Sequence, residues 1–370
     1  MYESTASPAA DTATYAWLHR LTPLSPFALL AVIALVELAT PDWLRLGPVL
    51  AAAPVLAAAI CGVRATAAVA ASTIGVKALL DLADHRWGSS TSQILNIALV
   101  AVGLASLLAS SIRQRREREL TQVRSVAETA QRTLIRPLPG RVDSVLLRGT
   151  YMAAESEARI GGDFYEVLHT PHGVRLLIGD VRGKGLPAVD ASAALLGAFR
   201  EAAHHEPCLA DVARWLEGSA HRNIQRLYGE DFTERFATAL LVEIPDEPVV
   251  RLVHCGHPEP LAIRNGVVHG CGAAEPGPPI GLAGLVEGGP VVETVPFDGG
   301  DRLLLYTDGV IEARDGSGRF YPLPERTARW SGHPLDQLVD HVRADLRRHA
   351  GGDLDDDAAL LAIERLPQGS

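Results

Sequence analysis

The sequence predicts two physical environments in one chain: an all-α region of four membrane-embedded helices, then an α+β domain. Three observations carry this. The first third is rich in Ala, Leu and Val, and the remainder in Gly, Pro, Asp and Arg. The first third holds four apolar runs in close succession. The remainder mixes many short strand-like runs with two long helical patterns early and one late, which implies layered α+β structure rather than a doubly wound parallel sheet.

Bulk properties narrow the classes. A chain of 370 residues is expected to hold about two domains. A net charge of −10 argues against a general nucleic-acid binder. The cysteines Cys61, Cys208, Cys255 and Cys271 form no CxxC pair and match neither a zinc site nor a disulfide framework.

Residues 1–23 read as an N-terminal cytoplasmic tail. A helix that crosses a bilayer needs about 20 mostly apolar residues. Four spans are expected within 24–112, at roughly Leu24–Thr40, Gly47–Val63, Ala65–Ala83 and Ile94–Ile112. A signal peptide would show one such run and a cleavage site. Arg113, Arg115, Arg116 and Arg118 directly follow the last run, and basic clusters stay cytoplasmic. An even number of spans then places both termini in the cytoplasm, so the chain is expected to be a multi-pass protein of the cell membrane, in contact with lipid. Glu37 and Lys77 interrupt the apolar runs. They either pair inside the bundle or snorkel to the outer interface. Asn96 is expected to form an interhelical hydrogen bond.

Residues 113–136 contain no Gly or Pro, and Leu120, Val123, Ala127, Ala130 and Leu134 recur at helical spacing. This predicts an amphipathic linker helix. Its stripe is either a homodimer seam in a short coiled coil or a face docked on the following domain. Pro137 and Pro139 end it.

Residues 137–370 form the second domain. Strands are expected at Val145–Tyr151, Val174–Ile178, Ala237–Ile244, Val249–Cys255, Leu261–Arg264, Val291–Pro296, Arg302–Tyr306 and Ala358–Ile363. Helices are expected from Pro187 to about His204, from about Cys208 to Leu227, and near Pro334–His349.

Four acidic motifs punctuate this domain: Gly161-Gly162-Asp163, Gly179-Asp180-Val181, Thr307-Asp308-Gly309 and Asp356-Asp357. Carboxylates at strand ends and turns can converge on divalent cations, and oxygen-only ligands suit hard ions such as Mg²⁺ or Mn²⁺. A Cys-x5-Arg spacing occurs once, from Cys208 to Arg214, but it reads CLADVAR inside a predicted helix and cannot cradle a phosphate.

The segments GGDFYEV, IGDVRGKG, FAT, HCGHPEP, LLLYTDGVIEAR and DDAALLAI, in that order, resemble the SpoIIE-like branch of the metal-dependent protein serine/threonine phosphatases, the type 2C superfamily. The resemblance implies a sandwich of two antiparallel sheets flanked by helices, with two divalent cations, Mn²⁺ or Mg²⁺, at one end. It implies that Asp163 bridges both metals, that Asp180 and the Val181 carbonyl hold one, and that Asp308 and Asp356 hold the other. Asp357 is the alternative to Asp356, while Asp353 and Asp355 are expected to be solvated. The implied reaction is hydrolysis of phosphoserine or phosphothreonine by an activated water, and the implied substrate is a phosphorylated regulatory protein that antagonises an anti-sigma factor. The chain departs from the family pattern in having Glu166 where Asp is frequent, and Arg182 and Lys184 where Ser and His are frequent. Glu166 is long enough to reach a metal through water. Arg182 and Lys184 either meet substrate phosphate or line a solvated turn. His257 either bonds near the site or satisfies a turn. A non-catalytic membrane receptor or scaffold on the same fold would be expected to have lost ligands, and here every expected carboxylate is present.

Overall fold

The four apolar runs become helices in the computed structural model, which describes residues 24–40, 47–83, 89–152, 161–228, 236–273 and 276–367. They are α1 (Ser25–Ala39), a 3-10 turn Gly47–Ala51 leading into α2 (Ala52–Ile60), α3 (Val63–Ala83) and α4 (Ser90–Leu134). By length and composition, α3 and the Ser90–Gln122 part of α4 can cross a membrane; α1 and the Gly47–Ile60 stretch are shorter. The linker helix expected from Arg113 continues the last span as one helix, α4, which ends at Leu134, shortly before Pro137. Of its apolar stripe, Leu120 is exposed, and the side chains of Val123, Ala127 and Ala130 lie outside the described residues. The chain divides into two units, Met1–Gln122 and Val123–Ser370.

In the first unit polarity is inverted. Leu35, Leu38, Leu79, Ile94, Ile97, Leu104 and Leu108 are exposed, while Glu37, Thr66, Thr73, Lys77, Asp81, Ser92 and Ser110 are buried. Glu37 and Lys77 are only 8% and 5% exposed, so neither snorkels. Lys77 ion-pairs with Asp81 one helical turn on, and the Ser92 hydroxyl donates to the same carboxylate from α4. Asn96 donates to Ser92 on its own helix at 3.4 Å and also hydrogen-bonds Asp81 of α3, so both Ser92 and Asn96 bond across to that helix. The C-terminal carbonyls of α2 are also met from α4: Arg113 donates to Ala58 and Cys61, placing a cation at the negative end of that helix.

The second unit is a two-sheet sandwich. Its strands are β1 (Arg141–Val142), β2 (Val145–Met152), β3 (Asp163–Thr170), β4 (Gly173–Val181), β5 (Ala237–Ile244), β6 (Val249–Cys255), β7 (Leu261–Arg264), β8 (Val267–Gly270), β9 (Glu293–Pro296), β10 (Arg302–Tyr306) and β11 (Ala358–Arg365). Its helices are α5 (Leu186–His205), α6 (Leu209–Tyr228), α7 (Asp308–Ile311), α8 (Leu323–Ala328) and α9 (Leu335–His349). One sheet runs β1-β2-β11-β10-β7-β8 and the other β3-β4-β5-β6-β9. Every strand pair is antiparallel.

Strand alternation sorts the side chains into three cores. Leu176, Ile178, Leu240, Val242, Leu303, Leu305, Leu361 and Ile363 pack between the sheets. Phe164, Leu177 and Leu241 face the other way, onto Leu195, Leu196 and Phe199 of α5 and Leu216 of α6. Leu304, Leu360 and Ala362 face Leu338, Val342 and Leu346 of α9. The helices supply apolar faces at 3- and 4-residue intervals, as in Ala188, Ser192, Leu195, Phe199 and Ala202.

Three strands went unread in the sequence: the two-residue β1, β3 and β8. β3 follows Gly161-Gly162 directly and reads as part of a motif. β8 is joined to β7 through Asn265-Gly266, both at positive φ (49° and 79°), the signature of a tight type I′ hairpin. Arg175 on β4 is fully buried. It bonds Glu243 at 2.8 Å and donates to the carbonyls of Ala203, Glu206 and Pro207 at 2.8, 2.6 and 3.0 Å. It thereby ties the sheet to the C-terminal end of α5.

Candidate active site

The acidic motifs meet at one end of the sandwich, and strand parity explains which side chains arrive. On β3, Asp163 and Tyr165 face the gap between the sheets, whereas Phe164 and Glu166 face α5. On β4, Asp180 shares the inward face of Leu176 and Ile178. The antiparallel register sets Asp163 opposite Asp180, and Asp180 opposite Thr238. From the other sheet, β10 ends at Tyr306, and Thr307 and Asp308 turn into α7. Carboxylate oxygens of Asp163, Asp180 and Asp308 lie within 4.8 Å of one another.

Thr307 locks this arrangement. Its hydroxyl donates to Asp163 Oδ2 at 2.7 Å and accepts from the Ala359 amide at 2.9 Å. The sequence assigns it no role, although its place beside Asp308 in the Thr-Asp-Gly motif was the available signal. Ser192 of α5 holds the adjoining turn by donating to the Gly162 carbonyl at 3.1 Å. Gly162 itself is required by close approach: a Cβ there would stand 2.1 Å from the Val181 carbonyl oxygen and 2.6 Å from Asp180 Oδ1. A Cβ on Gly309 would stand 1.9 Å from the Asp357 carbonyl.

The two C-terminal candidates separate. Asp357 is buried, accepting from the Gly161 amide at 2.8 Å and from the Tyr151 hydroxyl. Asp356 is exposed and lines a cavity of about 260 Å³ with Asp163, Asp180 and Asp308. It lies outside the group of three converging carboxylates, and both its oxygens are held by Lys184 Nζ, at 2.9 and 3.0 Å. Asp353 and Asp355 are exposed, as expected. Arg182 also lines the cavity, its guanidinium 5.2 Å from the centre of the Phe236 ring. Glu166 does not reach the cluster. Parity turns it toward α5, where it is buried against Arg200, 2.6 Å from Nε. His257 is buried behind Thr238, with Nδ1 3.1 Å from the Thr238 hydroxyl, and burial pushes its pKa down to about 3.

The electrostatics point to a cation site. Burial, then the Asp180 charge, hold the pKa of Asp163 well above the carboxylate range, against the lowering effect of Thr307. Burial, then Asp308 and Asp356, push Asp180 up to about 7. Burial, then Glu312 and Asp356, raise Asp308. Like-charged groups gathered in this way favour uptake of protons or of a metal. An oxygen-only set of carboxylate donors fits Mg²⁺ or Mn²⁺.

The fold defines the class. The second unit resembles the PP2C domain of SiaA from Pseudomonas aeruginosa, with a TM-score of 0.55 at 18% identity over 67% of this chain and 98% of that one. This is the two-sheet fold of the type 2C serine/threonine phosphatases. The chain is also similar to the RsbU and RsbW domains of a Mycobacterium tuberculosis protein (24% identity, 60% of each chain, TM-score 0.49). A third similar structure is the PP2C domain with a regulatory fragment of SpoIIE from Bacillus subtilis (16% identity, 60% of this chain and 64% of that one, TM-score 0.48). The chain spans about three fifths of the Mycobacterium tuberculosis chain it matches. The family described as Stage II sporulation protein E (SpoIIE) matches residues 170–366, more than half of the sequence, and the chain belongs to that family.

Proposed function

We propose that this chain is a membrane-tethered, metal-dependent protein serine/threonine phosphatase. In this reading its substrate is a small phosphorylated regulatory protein, an antagonist of an anti-sigma factor, the class that the family resemblance implies. The observation that carries the reading is the convergence of Asp163, Asp180 and Asp308 within 4.8 Å at the end of the sandwich.

Asp163 would bridge two divalent ions, Asp180 and the Val181 carbonyl would hold one, and Asp308 and Asp356 the other. Such ions, when bound, supply Lewis-acid activation of water and neutralise charge on the phosphoryl oxygens. Thr307 fixes the Asp163 carboxylate through Oδ2. Gly162 lets the backbone lie against the Val181 carbonyl, where a Cβ would stand 2.1 Å from its oxygen. Arg182 offers a fixed positive charge at the cavity wall to a phosphate oxygen.

The inverted polarity of the first unit supports the tether. Exposed Leu and Ile with buried, mutually bonded charges suit a hydrocarbon surround, where unpaired polar groups are costly. We place four spans in the membrane, with both termini and the phosphatase domain in the cytoplasm.

The test uses the full chain in detergent on a phosphoserine protein. Asp163→Asn should lower kcat by at least ~100-fold, since a metal clamp supplies several kcal/mol. Asp353→Asn should change it little. Retained activity in Asp163→Asn contradicts the reading.

A further inference from the structure

We propose that Lys184 is a tethered cation that competes with a divalent ion for Asp356. The inference rests on the metal-site reading above and deepens it, because it concerns what sets metal affinity at the outer position.

Three observations lead to it. Asp356 is the one expected carboxylate ligand left outside the converging group of Asp163, Asp180 and Asp308. Its two oxygens are both occupied by Lys184 Nζ, at 2.9 and 3.0 Å, leaving neither free of a positive charge. The ammonium arrives from the loop that follows Asp180, between Gly183 and Gly185, both at positive φ (115° and 81°). That backbone shape favours glycine, so the loop carries the lysine across the mouth of the cavity by design of its flanking residues.

Ligand oxygens on Asp356 cannot serve the ammonium and a divalent ion equally. A metal that recruits Asp356 must displace Lys184. The pair is partly open to water, with side chains 36% and 53% exposed, so displacement is feasible and its cost is modest. Arg182 supplies an internal comparison. It lines the same cavity with the same charge but lies over Phe236 and makes no contact with Asp356. A general effect of positive charge would appear at both residues, whereas direct competition would appear at Lys184 alone.

The experiment measures Mn²⁺ binding to the full chain in detergent by titration calorimetry and by the electron paramagnetic resonance of free Mn²⁺, at fixed pH and salt. Lys184→Met should tighten the weaker Mn²⁺ site by about two- to fivefold, the span expected for loss of a partly exposed ion pair. Lys184→Arg should stay near wild type. Arg182→Met should shift the constant by less than Lys184→Met. In an Asp356→Asn background, Lys184→Met should bring no further tightening. Equal effects of Lys184→Met and Arg182→Met, an unchanged constant in Lys184→Met, or a gain that persists without Asp356 would each overturn competition. Those results would leave the phosphatase reading in place, because wild type would still bind Mn²⁺. Absence of Mn²⁺ binding in every protein would overturn both.

Discussion

Stripping divalent ions from the protein should expose a pH-dependent instability that originates in the acid cluster. Burial, then the Asp308 and Asp356 charges, push the Asp180 carboxyl from its ordinary 3.8 up to about 7 in the folded domain. The folded state therefore binds more protons than the unfolded state across that window. A group raised in this way contributes its stability fully below about pH 4 and loses it as the pH climbs through about 7. Each pKa unit is worth about 1.4 kcal/mol, so Asp180 sets a ceiling of about 4 kcal/mol, lowered by its partial exposure to water. Asp163 and Asp308 shift in the same direction. The assay is thermal unfolding of wild type and Asp180→Asn in EDTA from pH 4.5 to 8. The variant's melting temperature should rise relative to wild type as the pH increases, by about 2–4 °C for each kcal/mol relieved. Mn²⁺ should remove most of the difference for wild type, and calorimetry at pH 6.5 should record proton release on Mn²⁺ binding. A pH-independent difference in EDTA, together with no proton release, would refute the linkage.

Other perturbations give further outcomes. Gly162→Ala forces a methyl against the Val181 carbonyl; it should abolish phosphatase activity and weaken Mn²⁺ binding while the circular dichroism spectrum is retained. Arg175→Ala strands Glu243 and the carbonyls at the end of α5; it should cost about 3–5 kcal/mol, read as a lower midpoint in urea. For topology, a tag placed within residues 84–92 should be labelled from outside intact cells, and one after Ser370 only after permeabilisation.

Much of the phosphatase domain was legible because its signals are local. Gly-Asp pairs at the ends of apolar runs mark where strands stop, and the near-continuous apolar runs Val174–Ile178 and Arg302–Tyr306 suit strands buried on both faces. Strand parity was available for Glu166, three residues beyond Asp163, and it excludes that residue from the cluster. The hairpin signal at Asn265-Gly266 would have revealed β8. What could not be read is long-range. The motif places Thr307 beside Asp308 but does not show which carboxylate its hydroxyl fastens, Asp163 being 144 positions away, nor does local sequence join Lys184 to Asp356. The membrane unit was legible in its apolar runs and in Asn96, which bonds across to Asp81, but not in the part Ser92 plays at the same carboxylate.

The central claim is that the gathered carboxylates work by holding divalent metal for phosphoester hydrolysis. Its most direct test is the rate of phosphate release from a phosphoserine protein by the full chain, first in EDTA and then after dialysis into Mn²⁺ or Mg²⁺. The account predicts that activity vanishes in EDTA, returns with either ion in wild type, and does not return in Asp308→Asn. Full activity in EDTA would contradict it.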